Sequence, residues 1–278
     1  MMKGTKVAII GCGWLGLPTA RALLNDGYQV IGSSRSETKL DQLEQFGITP
    51  VRVDIYQPES YRNTAITECS TWLINIAAGR RNTDFPVYIQ RVKALIDYAT
   101  QCKVAHLIFV STTAVYGNAN GTLNETSPLQ PVTASGKAHA EIESYIQAQL
   151  SNTHSILRLA GLVSLDRHPV RSLSKRAGPI SGGDQVVNLI HRDDVISALE
   201  ILCEIGPQSD KPLLLASPEH PTRREYYTWA ATQLGIQPPE FEANKGADAN
   251  SKQVDGSDSL KRIGLTLRYA SPYDMLAK

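Results

Sequence analysis

Val7-Ala-Ile-Ile-Gly-Cys-Gly-Trp-Leu-Gly16 decides how this chain is read. Four apolar residues run without a break into three glycines at GxGxxG spacing, and a helix-period pattern continues through Leu24. In that order each glycine has a physical task. Gly11 permits a tight turn, Gly13 lets the backbone approach a pyrophosphate, and Gly16 lets the helix pack closely on the strand. A helix that starts here, after Trp14 and Leu15, points free N–H groups and a partial positive charge at phosphates. Gly11, Gly13, Trp14, Leu15 and Gly16 are therefore expected to hold a dinucleotide.

Outward from this stretch, short apolar runs alternate with helix-period segments, the pattern of a parallel sheet covered on both faces. Strands are expected at Lys6–Ile10, Gln29–Gly32, Pro50–Val53, Thr71–Ile76, His106–Ser111 and His154–Leu159. Tyr88, Val92, Leu95, Ile96 and Ala99 form an apolar helical stripe read as packing surface. The later half is expected to hold a strand over Val186–Ile190, a helix from near Asp193, a strand over Pro212–Ala216 and a helix after Pro221. The fold class is α/β: a Rossmann-type doubly wound parallel sheet with a small mixed C-terminal substrate lobe. Residues 1–160 make the dinucleotide-binding core and 161–278 the lobe, with about 186–216 returning to the core. Gly and Pro gather in Arg167–Asp184 and Gly235–Gly256, which read as substrate loops.

The end of the second strand chooses the cofactor. NAD sites usually place an acid there for the ribose hydroxyls, whereas this chain has Ser33-Ser34-Arg35. Ser34 and Arg35 suit the 2′-phosphate of NADP, which an acid would repel. Glu37 stands as an acid displaced along the loop, which keeps NAD as the alternative cofactor. Asp54, closing the third strand, either accepts from the adenine amino group or caps the next helix. Ala77, after the fourth strand, completes the expected cofactor-binding set.

The chain has 278 residues, 42% hydrophobic and 20% charged, with a net charge of +1, so it is ordinary globular material without the basic excess of a nucleic-acid binder. The four cysteines have no CxxC pair and read as free thiols in a reducing compartment, not as metal ligands. Glycines and Pro18 break the apolar run near the N-terminus, so it reads as strand and turn rather than as a signal peptide. No stretch reaches the roughly 18 apolar residues of a membrane helix. A cytoplasmic protein with a small-molecule substrate is expected, without nucleic acid, membrane or metal, and with a homodimer left open.

Phe109-Val-Ser-Thr-Thr-Ala-Val-Tyr-Gly117, Glu125, Pro128 and Asn188-Leu-Ile-His-Arg-Asp-Asp-Val195 extend the pattern begun at Gly11. Through them the chain resembles, nearly end to end, the extended short-chain dehydrogenase/reductase superfamily, the NAD-dependent epimerases and dehydratases of nucleotide sugars. Arg158-Leu-Ala-Gly-Leu-Val163, Arg167-His-Pro169, His220-Pro221 and Val254-Asp-Gly-Ser257 resemble more closely its atypical YeeZ-type branch.

The resemblance implies that Thr112 orients substrate and that Lys137, with Glu141 one turn on, fixes the nicotinamide ribose. It also implies a tyrosine four residues before Lys137, where this chain has Thr133. A phenol titrates near 10 and can be pulled toward neutrality by a cation; an aliphatic hydroxyl cannot. Tyr116, expected at the mouth of the cleft, is the candidate substitute. His139 and His191 read as structural, with Asp193 capping the helix beyond. Arg80 and Arg81 after the fourth strand, with Arg167, His168 and Arg171, suit an anionic ligand. Two functions follow. One is an NADP-dependent oxidoreductase or epimerase with an atypical site acting on an anionic or nucleotide-sugar-like substrate; the other is a non-catalytic dinucleotide-binding sensor or regulator.

Overall fold

The computed structural model describes residues 4–62, 64–77, 79, 83–243 and 251–276. Strands and helices alternate as β1 (Lys6–Ile10), α1 (Gly16–Asn25), β2 (Gln29–Ser34), α2 (Glu37–Gln45), β3 (Thr49–Arg52), β4 (Thr71–Ile74), α3 (Phe85–Gln101) and β5 (His106–Thr112). After β5 come β6 (Gly121–Leu123), α4 (Ala134–Gln149), β7 (His154–Leu159), β8 (Gly161–Val163), α5 (Val170–Leu173) and β9 (Leu189–His191). The chain then forms α6 (Arg192–Ile205), β10 (Leu213–Leu215), α7 (Arg223–Gln233), β11 (Lys252–Val254) and α8 (Ser257–Ile263).

Seven strands build one sheet in the order β10-β7-β5-β4-β1-β2-β3, and every pairing is parallel. The doubly wound parallel sheet expected from the sequence is thus present. Successive side chains of β1 serve opposite faces, as the two-residue strand period requires. Val7 and Ile9 pack with Leu23 of α1 and Leu199 of α6, whereas Ala8 and Ile10 pack with Val92 of α3 and Ile142 of α4. The stripe read on α3 is buried throughout.

The chain runs from β1 outward to β2 and β3, then crosses back to place β4 on the other side of β1. Connections leave β1 in opposite directions there, opening a crevice beyond the strand ends where α/β sheets bind ligands. The glycine loop and Asn75 form its lips.

Several elements differ from expectation. The strand expected over Val186–Ile190 is β9, Leu189–His191; Val186 makes only an isolated bridge to Thr222, and the Val187 N–H donates to the Pro221 carbonyl. Short β6 pairs with β11, and β8 with β9. Three-residue strands carry too little periodicity to be read from sequence. A separate apolar cluster joins Val163, Val170, Tyr226, Tyr227 and Met275. Among the described residues, no helix is long and apolar enough to cross a membrane.

Candidate functional site

The glycine loop is held by contacts that leave its middle open. The Gly11 N–H donates to Ser33 Oγ at 3.0 Å, the Cys12 N–H donates to the Ser33 carbonyl at 2.9 Å, and Asn75 Nδ2 donates to the Gly11 carbonyl at 3.2 Å. Gly11 has φ +108°, the left-handed side that favours glycine, and a β-carbon there would overlap the Asn75 carbonyl. One at Gly16 would overlap the Gly11 carbonyl, while one at Gly13 would meet nothing within 4 Å. The first and third glycines are fixed by the protein itself. Space at the second is what a pyrophosphate lying against the loop requires.

From the loop a cleft of about 650 Å³ runs over the ends of β2 and β3, lined by Ser34, Arg35, Lys39, Asp54 and Ala77. Arg35 is exposed, and Ser34 Oγ accepts from the Ser36 N–H at 3.1 Å. Of the two hydroxyls expected there, Ser33 is buried and anchors Gly11, which leaves Ser34. Lys39, in the first turn of α2, is a second cation lining the cleft that was not read from the sequence. Glu37, weighed as a displaced ribose acid, instead pairs with Arg52. Asp54 does not cap the following helical turn; its Oδ1 accepts from the Tyr56 N–H at 3.1 Å. Tyr88, read only as packing, also lines the cleft, its hydroxyl donating to the Ile76 carbonyl at 2.9 Å.

Thr112, the last residue of β5, and Lys137 on α4 are not among the residues lining this cleft. Thr112 Oγ1 accepts from the Ala114 N–H at 3.1 Å and caps the short turn Thr113–Tyr116. The first turn of α4 packs onto that turn so closely that a β-carbon at Gly136 would press on the Ala114 carbonyl. Lys137 is the exposed neighbour of Gly136, so the fold brings the α4 start beside Thr112. Thr133 is the N-cap of α4, its Oγ1 accepting from the Gly136 N–H at 3.0 Å. Glu141 pairs with Lys93 of α3 at 2.7 Å. Lys252 is a further residue not read from the sequence: its ammonium donates to the Gly117 carbonyl at 3.0 Å, tying β11 to the loop after Thr112. Burial lowers its pKa.

The expectation that Tyr116 stands at the cleft mouth is corrected. Its side chain is fully buried, and its hydroxyl donates to the Asn124 carbonyl at 2.8 Å while accepting from Arg158 at 2.9 Å. Burial raises its pKa, against the opposing pull of Arg158. A phenol so enclosed and engaged is no ready proton donor. Leu15 packs in the core, and the Trp14 indole N–H donates to Asp166 at 2.8 Å, so only their backbone groups are left for a ligand at the loop.

His168, expected among anion-binding groups, is buried against Tyr226 at 2.8 Å, and burial pushes its pKa down to about 4. A neutral imidazole cannot serve as that cation. Arg167 and Arg171 are exposed, whereas Arg80 and Arg81 lie outside the described residues. His139 Nδ1 bonds the Ser135 carbonyl at 2.9 Å. At α6 the cap is His191 and not Asp193, because the imidazole Nδ1 accepts the Asp193 N–H at 3.2 Å.

A parallel sheet with a switch point, a glycine loop open at its middle and a neighbouring cationic cleft define a dinucleotide-binding protein of the Rossmann class. An NAD(P)H-binding family profile matches residues 11–199, and the chain belongs to that family. It is 35% identical over 274 residues to Protein YeeZ of Escherichia coli (strain K12), covering 97% of this chain and 98% of that one. Its fold is shared with UDP-glucuronic acid 4-epimerase from Bacillus cereus, solved in complex with NAD (TM-score 0.79, 18% identity, covering 98% and 96% of the two chains). MoeE5, solved with UDP-glucuronic acid and NAD, shares it too (TM-score 0.78, 20% identity, covering 99% and 97%). The fold is that of the NAD-dependent epimerase/dehydratase superfamily.

Proposed function

We propose that the chain binds NADP(H) and acts as an atypical oxidoreductase or epimerase on an anionic, nucleotide-sugar-like substrate. The observation that carries the cofactor choice is the pairing of Arg35 with Lys39 in the cleft, while Glu37 is held by Arg52. Two cations complement a 2′-phosphate dianion, and the acids lining the cleft among the described residues are Asp54 and Asp84, the latter engaged as the N-cap of α3. Gly11, Gly13 and Gly16, with the Trp14 and Leu15 backbone, hold the pyrophosphate, and Asp54 and Ala77 flank the adenosine. The nicotinamide, when bound, supplies hydride exchange with a substrate carbon. On that side Thr112 positions the substrate and Lys137 the ribose, and residues 161–278 supply the substrate lobe. The complexes of the epimerase with NAD and of MoeE5 with UDP-glucuronic acid support this class of ligand.

Fluorescence titration of NADPH and NADH tests the choice. Wild type binds NADPH more tightly, and Arg35→Ala weakens NADPH about tenfold or more with little change for NADH, as expected for losing a charge-assisted contact. Equal affinities in wild type would sink the NADP reading.

The alternative, a dinucleotide-binding sensor without turnover, draws on Thr133 and Tyr116. One hydroxyl is spent as a helix cap and the other is sealed in the core. Thr133→Tyr separates the readings when NADPH oxidation is followed against nucleotide sugars. Gain of turnover with Tyr, and none with the cap-preserving Thr133→Ser, marks an enzyme site that lacks only its phenol. Silence in both, with tight NADPH binding, favours the sensor.

A further inference from the structure

Beside the glycine loop, outside the dinucleotide cleft, lies a charged group that the proposed cofactor contacts do not use. The turn Ser164–Arg167 closes through two reciprocal backbone hydrogen bonds, each 3.1 Å, between its end residues. At its tip Asp166 accepts from the Ser164 hydroxyl, from Trp14 Nε1 at 2.8 Å and from Arg192 at 3.2 Å. The turn is thereby fastened both to the glycine loop and to the start of α6. Two guanidinium groups lie over the Trp14 ring, Arg167 at 4.7 Å from its centroid and Arg192 at 5.1 Å.

Their circumstances differ. Arg192 is neutralised by Asp166 and by Asp193 at 3.6 Å. Arg167 is exposed, and its guanidinium has neither a carboxylate nor a hydrogen-bond acceptor among the described residues. It is a cation held by a ring and a locked turn, with its donor fork unspent. A guanidinium stacked in this way keeps the planar fork that grips phosphate oxygens in pairs, and because the turn is already ordered, little side-chain and loop entropy is lost on binding. Trp14 sits between Gly13 and Leu15, so the fork stands at the junction of the glycine loop and the C-terminal half of the chain.

We infer that Arg167 receives a phosphoryl group of the substrate at this junction, with Trp14 and Asp166 as its positioning residues. This assignment rests on the reading of the neighbouring cleft as the dinucleotide site, which leaves Arg167 to the second ligand.

Calorimetric titration of the full-length protein, saturated with NADPH, with uridine diphosphate and separately with inorganic phosphate tests it. Wild type binds at least one of the two. A preference for uridine diphosphate identifies a nucleotide source, and equal binding identifies the phosphoryl group alone. Arg167→Ala lowers that affinity about tenfold or more, the scale of a lost charge-assisted pair. Arg167→Lys, which keeps the charge and loses the fork, falls between. Arg62→Ala, an exposed cation outside the proposed substrate lobe, leaves it unchanged, and circular dichroism confirms that the variants fold. Failure of wild type to bind either probe, unchanged affinity in Arg167→Ala, or equal loss in Arg62→Ala overturns the assignment. A parallel loss of NADPH affinity in Arg167→Ala also overturns it, because the arginine would then serve the cofactor. If wild type fails to bind NADPH, the proposed function falls, and the same titrations without cofactor still decide the role of Arg167.

Discussion

Three glycines that look equivalent in the sequence have different surroundings. At Gly16 a side chain has nowhere to go, because the Gly11 carbonyl fills the space, whereas at Gly13 a methyl group meets only the open crevice. Opposite experimental signatures follow. Gly13→Ala should keep its melting temperature within a degree or two, since surface changes of this kind cost about 0.5 kcal/mol or less, yet bind NADPH poorly because the methyl group occupies the pyrophosphate position. Gly16→Ala should lose thermal stability together with binding. Thermal melts paired with NADPH titrations read both, and a Gly13→Ala protein that binds normally would remove the pyrophosphate from this loop. Ser33 illustrates the same point, since its buried hydroxyl accepts the Gly11 N–H and holds the first turn of the loop.

Among the elements, α4 carries most of what is unusual. Its first residue position is set by Thr133, and replacing such a cap costs about 1 kcal/mol, so Thr133→Tyr should be slightly less stable than Thr133→Ser even if it gains chemistry. Further along the same helix, Glu143 and Arg158 of β7 form a buried ion pair at 2.7 Å, to which Ser111 and Tyr116 add hydrogen bonds. Removing one member leaves the other charge uncompensated in the core. Glu143→Ala should therefore cost about 3–5 kcal/mol in urea denaturation, and a loss below about 1 kcal/mol would show that water reaches the guanidinium. This network explains why Tyr116 is not at the cleft: its hydroxyl is a strut between β7 and the segment at Asn124.

Over the whole molecule, the six histidines share one electrostatic state, because burial lowers the pKa of each. For His106 and His168 it reaches about 4. The unfolded chain takes up protons on these rings as pH falls below about 6.5, while the folded chain resists until near 4. Folded pKa values below unfolded ones mean that the stabilisation is complete above about 6.5 and drains away as pH falls toward 4, by up to about 3 kcal/mol for each of these two rings. The urea midpoint should accordingly drop across that window, with the His106 and His168 ring signals in NMR unchanged until its lower end. A flat midpoint from pH 7 to 4.5 would contradict the burial of these rings.

The sequence by itself determined the dinucleotide loop, the alternation of strand and helix and the parallel sheet, because local periodicity and glycine spacing report directly on backbone geometry. It also exposed the departure at Thr133, which is a matter of residue identity alone. Only the tertiary structure decided where polar side chains spend their hydrogen bonds. Tyr116 and His168 carried chemical promise in the sequence and are satisfied in the interior. Lys39 and Lys252, which carried none, face the cleft and the Thr112 loop. Trp14 and Asp166 meet across 152 positions of chain. Such pairings depend on the packing of distant segments and not on local propensity, and no spacing rule within one segment encodes them.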